Sequence, residues 1–281
     1  MQPHEKLTAA IRAADDAGRT ALVPFLTAGY PEPGDFVTTL KAIAAVGDVV
    51  EVGIPFSDPM ADGMTIQRSS FVALQKGVSL EWIFAELEKA GEVGAPLVMM
   101  SYLNPLLAFG YERLAKRAVE TGVCAFIVPD LPYEECDEIR TALEAQGVGL
   151  IQLVTPATPD DRLKKLSDAS RGFLYAVTIT GITGGDTGLP TDLADYLDKV
   201  AETSDIPVCA GFGIRNADDV ANVGEHVAGA KNPHSSDVGG NGGIEIFIEY
   251  IPQHRFRTSG LHNNITHLDR GIQIMVNIIK Y

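Results

Sequence analysis

Positive charge is scarce in this 281-residue chain: 22 lysines and arginines face 37 acidic residues, a net charge of −15. No basic stripe exists to neutralise phosphates, which excludes a nucleic-acid partner. Cysteine is scarce too. Cys124, Cys136 and Cys209 are an odd number without metal-ligand spacing, and two of them fall in predicted strands, so they read as buried, reduced thiols. No apolar run approaches the roughly 20 residues that span a bilayer. The opening residues, Met1-Gln-Pro-His-Glu-Lys6, lack the basic-then-apolar plan of a signal peptide. The expectation is a cytoplasmic protein without a membrane association. A metal centre is not expected either, because His254, His262 and His267 follow no helix or finger spacing.

What is present is a regular alternation. Apolar residues make up 46% of the chain and charged residues 21%, enough for a substantial core. After an amphipathic helix at 5–18, short β-branched apolar runs alternate with segments of helical period. Strands are expected at 21–29, 48–54, 96–102, 125–130, 150–155, 173–178 and 207–210. Helices follow them at 35–46, 67–76 with 80–90, 112–121, 133–146, beyond the Thr158–Asp161 cap, 192–202 and 217–227. Strict strand–helix alternation implies a parallel sheet with right-handed crossovers. Seven such units favour a (β/α)8 barrel over an open doubly wound sheet, and about 250 residues is a common size for a barrel. The fold expected is therefore a TIM barrel with an additional N-terminal helix and an atypical C-terminal segment.

That segment begins near residue 231. The first fifty residues hold ten alanines, whereas 231–281 hold none. Residues 1–230 carry 17 basic and 33 acidic side chains, net −16; the tail carries 5 and 4, net +1, and four of the six histidines. We therefore divide the chain into a barrel body, 1–230, and a tail, 231–281, that is either a substitute eighth strand or an appendage. Gly243–Ile251 alternates like a strand and is the candidate for the eighth. Ile272–Ile279 is apolar enough to require burial or a partner surface.

The chain is organised around Asp48–Gln67. Its first half is a strand that reads as buried on both faces, with one carboxylate, Glu51, inside it. A buried ionised carboxylate must be paired, coordinated or shifted in pKa. The second half is a polar loop rich in turn residues, and Asp62 stands in it eleven residues after Glu51. Two acids in different environments are suited to acid–base chemistry. An ordinary satisfied glutamate beside an Asp-rich loop explains the window about equally well. Two glycine-rich stretches, Thr180–Gly188 and Gly211–Arg215, follow late strands, where barrels present backbone N–H groups to phosphate.

Glu51-Val-Gly-Ile-Pro-Phe-Ser-Asp-Pro-Met-Ala-Asp-Gly-Met-Thr-Ile-Gln67 closely resembles the signature of the tryptophan synthase alpha subunit. The resemblance runs from Leu22 to about Ala230 and takes in Val23–Pro31, Met100–Pro105, Val128–Pro132, Thr180–Gly184 and Gly211–Ile214. It implies retro-aldol cleavage of a phosphorylated small molecule, indole-3-glycerol phosphate, to indole and glyceraldehyde 3-phosphate, with no metal or bound cofactor. Glu51 then resembles the acid/base at indole C3 and the glycerol hydroxyl, and Asp62 the acceptor of the indole N–H. Phe25, Met100, Ile127 and Tyr175 read either as an apolar slot for indole or as ordinary core. Tyr102 and Asn104 shape the loop end of the third strand. Thr183 resembles the residue that positions Asp62 when loop 180–189 closes, and Gly184, Phe212 and Gly213 belong to the glycine-rich substrate contacts. The implied partner is the beta subunit in an alpha2beta2 assembly, which alone carries pyridoxal phosphate; loops 55–62, 102–105 and 130–135 resemble the surface that meets it. The family's Gly-Ser phosphate pair, due after Ala230, is absent, and only Ser235-Ser236 and the Gly239–Gly243 cluster stand near its place. Two other readings remain open: a non-catalytic alpha-like subunit, and a different phosphate-handling barrel, against which the 51–67 signature argues.

Overall fold

In the computed structural model, residues 1–178, 191–211, 227 and 275–280 are described. Helix α1 (Pro3–Asp16) precedes strand β1 (Ala21–Thr27), and the alternation then proceeds through α2 (Phe36–Ala44), β2 (Val50–Gly53), α3 (Met64–Gln75), α4 (Leu80–Ala90) and β3 (Leu97–Met100). Next come α5 (Leu103–Phe109), α6 (Tyr111–Glu120), β4 (Val123–Ile127), α7 (Asp137–Glu144), β5 (Gly149–Ile151) and β6 (Leu153–Val154). The last described elements are α8 (Asp160–Ala169), β7 (Leu174–Val177), α9 (Thr191–Thr203), β8 (Val208–Gly211) and β9 (Met275–Lys280).

The strands pair in the order β5-β4-β3-β2-β1-β9-β8-β7-β6. β5 and β6 are one line of chain interrupted at Gln152, so the two ends of that order meet and the sheet closes as a barrel. Neighbours from β1 to β8 are parallel, as βα alternation requires. β9 departs from the pattern: it runs antiparallel to both β1 and β8, pairing Phe25 with Met275 and Ala210 with Ile278. The apolar tail stretch flagged at 272–279 thus supplies a strand between β8 and β1. A strand arriving without a crossover helix is free to take either direction, which is why apolarity alone did not fix its orientation. Gly243–Ile251 lies outside the described residues.

Alternation along the strands divides the core into layers. Val50, Val52, Leu97, Met99, Phe126 and Leu150 face the surrounding helices. Phe25, Val98, Met100, Ile127, Ile151, Tyr175 and Cys209 fill the barrel interior. Helix α1 belongs to that interior cluster, with Leu7, Ile11 and Ala14 fully buried. It is fastened ahead of β5 by His4 N–H donating to the Gly147 carbonyl (3.1 Å), and ahead of β7 by Thr8 Oγ1 donating to the Gly172 carbonyl (2.7 Å). Both anchors precede strands, so α1 plugs the end of the barrel opposite the strand C-termini.

Several boundaries differ from those read in the sequence. Asn104-Pro105, read as punctuation after the third strand, does follow β3 but lies inside a helix, with Pro105 in the first turn of α5, where a missing N–H costs nothing. α3 starts at Met64 rather than 67, and a short 3-10 turn over Tyr133–Glu135 precedes α7. Thr158 does not cap α8. Its Oγ1 accepts from Thr155 N (2.9 Å), and Pro159 holds the cap position. Loop 180–189 and helix 217–227, apart from Val227, lie outside the described residues.

Candidate active site

Glu51 sits in the middle of β2, between Val50 and Val52, which face the helices. Strand alternation turns it the other way, into the barrel, where it is 1% exposed. Its register partners are Phe25 on β1 and Val98 on β3. Cys209 on β8 lies near enough for the Glu51 charge to raise its thiol further, beyond the upward push of burial. Four strands therefore contribute to the surroundings of one carboxylate.

Asp62 is set differently. β2 ends at Gly53, and the loop that follows is folded by its own backbone, with Met60 N donating to the Asp58 carbonyl (2.9 Å) and Asp62 N to that of Pro59 (3.1 Å). Tyr102, just past β3, reaches across to this loop. Its hydroxyl donates to Asp62 Oδ2 (3.1 Å) and accepts from Ala61 N (2.8 Å). Gln67 Nε2 holds the Asp62 carbonyl (2.9 Å). Desolvation raises the Asp62 carboxyl above the ordinary carboxylate range, against the lowering effect of the Tyr102 hydrogen bond. Burial, with the nearby carboxylate, holds the Tyr102 phenol well above its usual value, so it stays a donor.

Beside Asp62 and Tyr102 lies a slot lined also by Phe25, Gly53, Phe56 and Met100, among others; Glu51 does not line it and is represented there by its register partner Phe25. Phe56 stacks on Tyr102 with ring centroids 5.0 Å apart and planes 24° apart. Gly53 is there because of Phe25: a Cβ at 53 would come within 2.4 Å of the Phe25 ring. The space inside it is about 20 Å³, less than an aromatic ring fills. Ile127 and Tyr175 share the interior cluster with Phe25 and Met100 but do not line this slot. Thr183, Gly184, Phe212 and Gly213 lie outside the described residues. Phe56 was not singled out in the sequence, although it stands inside the 51–67 motif; its stacking partner is 46 residues away, and no local pattern announces that contact.

Among the described residues no cluster of three or more His, Cys, Asp or Glu side chains is placed to hold a metal ion, and no helix is long and apolar enough to cross a membrane.

A closed α/β barrel with one carboxylate in its second strand and another in the loop beyond has the architecture of enzymes that act on small molecules at the C-terminal ends of their strands. Residues 11–231 match the family model described as "Tryptophan synthase alpha chain". The chain is 44% identical over 211 residues to the tryptophan synthase alpha chain of Nitratidesulfovibrio vulgaris (strain DP4), covering 74% of this chain and 82% of that one. It is also 44% identical over 217 residues to that of Roseiflexus castenholzii, covering 76% and 83%. A crystal structure of tryptophan synthase subunit alpha from Legionella pneumophila superposes with a TM-score of 0.72 at 30% identity, covering 82% and 85%. A tryptophan synthase structure from M. tuberculosis gives 0.72 at 32%, covering 80% and 86%. The chain belongs to the tryptophan synthase alpha chain family. It is a carbon–carbon lyase that cleaves indole-3-glycerol phosphate in tryptophan biosynthesis, and the non-catalytic reading is not favoured. The family needs no cofactor of its own, and it implies a beta-subunit partner.

Proposed function

We propose that Glu51 and Asp62 divide the chemistry of that cleavage. Breaking the bond between indole C3 and the glycerol carbon needs a proton placed on C3 and another taken from the hydroxyl of the departing carbon. C3 protonation puts positive charge on the ring nitrogen, the C–C electron pair returns to the ring, and the hydroxyl becomes the aldehyde of glyceraldehyde 3-phosphate. Glu51, buried in the barrel wall, delivers and collects the protons. Asp62, ionised, accepts from the indole N–H and stabilises the charge there. Phe25, Met100 and Tyr102 hold the ring, with Ile127 and Tyr175 deeper in the interior. Thr183, Gly184, Phe212 and Gly213 complete the substrate contacts on the loops that follow β7 and β8. The observation that carries this assignment is the Asp62–Tyr102 hydrogen bond, which aims the loop carboxylate at the same slot that Phe25, the register partner of Glu51, lines from the other side.

The partner beta subunit carries the pyridoxal phosphate in this reading, and the assembly is alpha2beta2 in the cytoplasm. Supporting it, Met60 and Met64 beside the Asp62 loop are 90% and 79% exposed, and Leu107 on α5 is 56% exposed. Large apolar side chains held out in water next to the strand C-termini suit a covered surface.

Glu51→Gln tests the assignment: it keeps shape and removes proton transfer. Indole release from indole-3-glycerol phosphate should fall by about 10²-fold or more, with an unchanged circular-dichroism spectrum. Near-normal release from the folded variant would remove Glu51 from the mechanism.

A further inference from the structure

A second cavity, of about 270 Å³, opens on the outer side of the barrel wall beneath the loop 128–133. Leu131, Leu150 and Leu166 give it apolar walls, and Gln152 stands among them at the break between β5 and β6. Gln152 is 7% exposed. Leu150 and Val154 face the helices and Ile151 and Leu153 face the interior, so alternation sends the Gln152 side chain outward into this space. Its backbone is satisfied, the N–H by Ser170 Oγ (3.0 Å) and the carbonyl by Tyr175 N (3.0 Å). No hydrogen bond ties its side-chain amide to another described residue, and solvent reaches the amide through the cavity, so its donor and acceptor are both open to pairing with what enters.

The charges at the mouth are already committed to one another or to the fold. Arg162 forks onto Glu134 (2.7 and 3.0 Å), and Asp130 Oδ1 accepts from Leu103 N (2.9 Å). Among the described lining residues Arg162 is neutralised by Glu134, and the one charge that remains, the Asp130 carboxylate, disfavours an anion. We propose that this cavity is a second small-molecule site, for an uncharged ligand with a compact apolar body and one amide, whose adjacent donor and acceptor pair with those of Gln152. The volume lies near the lower end of the roughly 300–1,000 Å³ of ordinary ligand pockets, which suits a single ring and its substituent. The site is distinct from the catalytic slot, with which it shares no lining residue. It is nevertheless linked to it: Asp130 on the cavity's roof holds the start of α5 at Leu103, adjacent to the Tyr102 that holds Asp62.

The test uses 4-fluorobenzamide as probe and fluorobenzene as its amide-free control, followed by fluorine NMR on the full chain. Wild-type protein should bind 4-fluorobenzamide saturably. Gln152→Leu should weaken that binding about tenfold, the effect of losing one to two net hydrogen bonds, while fluorobenzene binds both proteins alike. Leu131→Trp, at a half-buried loop position, fills the space and should abolish binding of both probes; it also decides the matter should Gln152→Leu fail to fold. Equal affinity of wild type and Gln152→Leu for 4-fluorobenzamide, retained binding in Leu131→Trp, or no saturable binding to folded wild type would each overturn the proposal. So would competition between 4-fluorobenzamide and indole-3-glycerol phosphate, which would place the probe in the catalytic slot and leave the assignment of Glu51 and Asp62 standing.

Discussion

Asp62 sits in a conflict that its hydrogen bond only partly relieves. Burial favours its neutral form, whereas accepting from an indole N–H requires the anion. A carboxyl whose folded pKa is raised contributes stability below its unfolded pKa and loses it as pH rises through the folded value. At neutral pH, then, the charge on Asp62 works against folding. Asp62→Asn should leave the melting temperature equal to or slightly above that of wild type at pH 7, while indole release collapses; a clear fall in melting temperature would show that the charge supports the fold instead. Tyr102→Phe separates the other half of the balance. Without the phenol, Asp62 loses the one interaction that lowers its pKa, so the acid limb of the kcat/KM profile should move to higher pH. An unmoved limb would mean that Asp62 is not the group whose ionisation it reports.

Helices and strands carry less chemistry but decide where it happens. α1 buries Leu7 and Ile11 completely at the end of the barrel away from both carboxylates. Leu7→Ala should cost about 2–5 kcal/mol in urea unfolding and leave indole release per folded molecule unchanged, because stability and catalysis reside at opposite ends of such barrels. Loss of activity in a folded Leu7→Ala protein would contradict that separation. The sequence exposed this level well: apolar runs such as Phe173–Thr178, where β7 lies, are signals a few residues long. α5 was missed because Asn104-Pro105 looks like a stop in isolation and becomes a legal first turn only once Tyr102 has fixed where the helix begins. The two carboxylates were legible as residues, one anomalous in an apolar strand and one in a turn-rich loop. Their environment was not, because Tyr102 lies 40 residues from Asp62 and meets it only through the register of β2 against β3.

At the scale of the whole molecule, β9 raises the largest question. The match to the family ends at residue 231, where the alanines also end, yet the barrel is closed by a strand from beyond that point. Composition could mark the tail as foreign but could not show that its last apolar stretch pairs backward between β8 and β1. Parallel barrels tolerate no open seam, since β1 and β8 would each present a row of unpaired N–H and C=O groups. Each buried unsatisfied group costs about 1–3 kcal/mol, so a few of them rival the 5–15 kcal/mol that typically separates folded from unfolded chains. We propose that the tail serves as the barrel's eighth strand. Removing residues 231–281 should then lower the melting temperature sharply and expose apolar surface to a hydrophobic dye. Ile278→Pro offers a graded version, because Ile278 sits opposite both Leu22 and Ala210 and proline removes a ladder donor at the centre of the seam. It should destabilise in the same direction and by less than the truncation. A truncated chain that melts where the intact one does would show that the body closes without its tail, and that the antiparallel strand merely occupies a seam the other strands can seal.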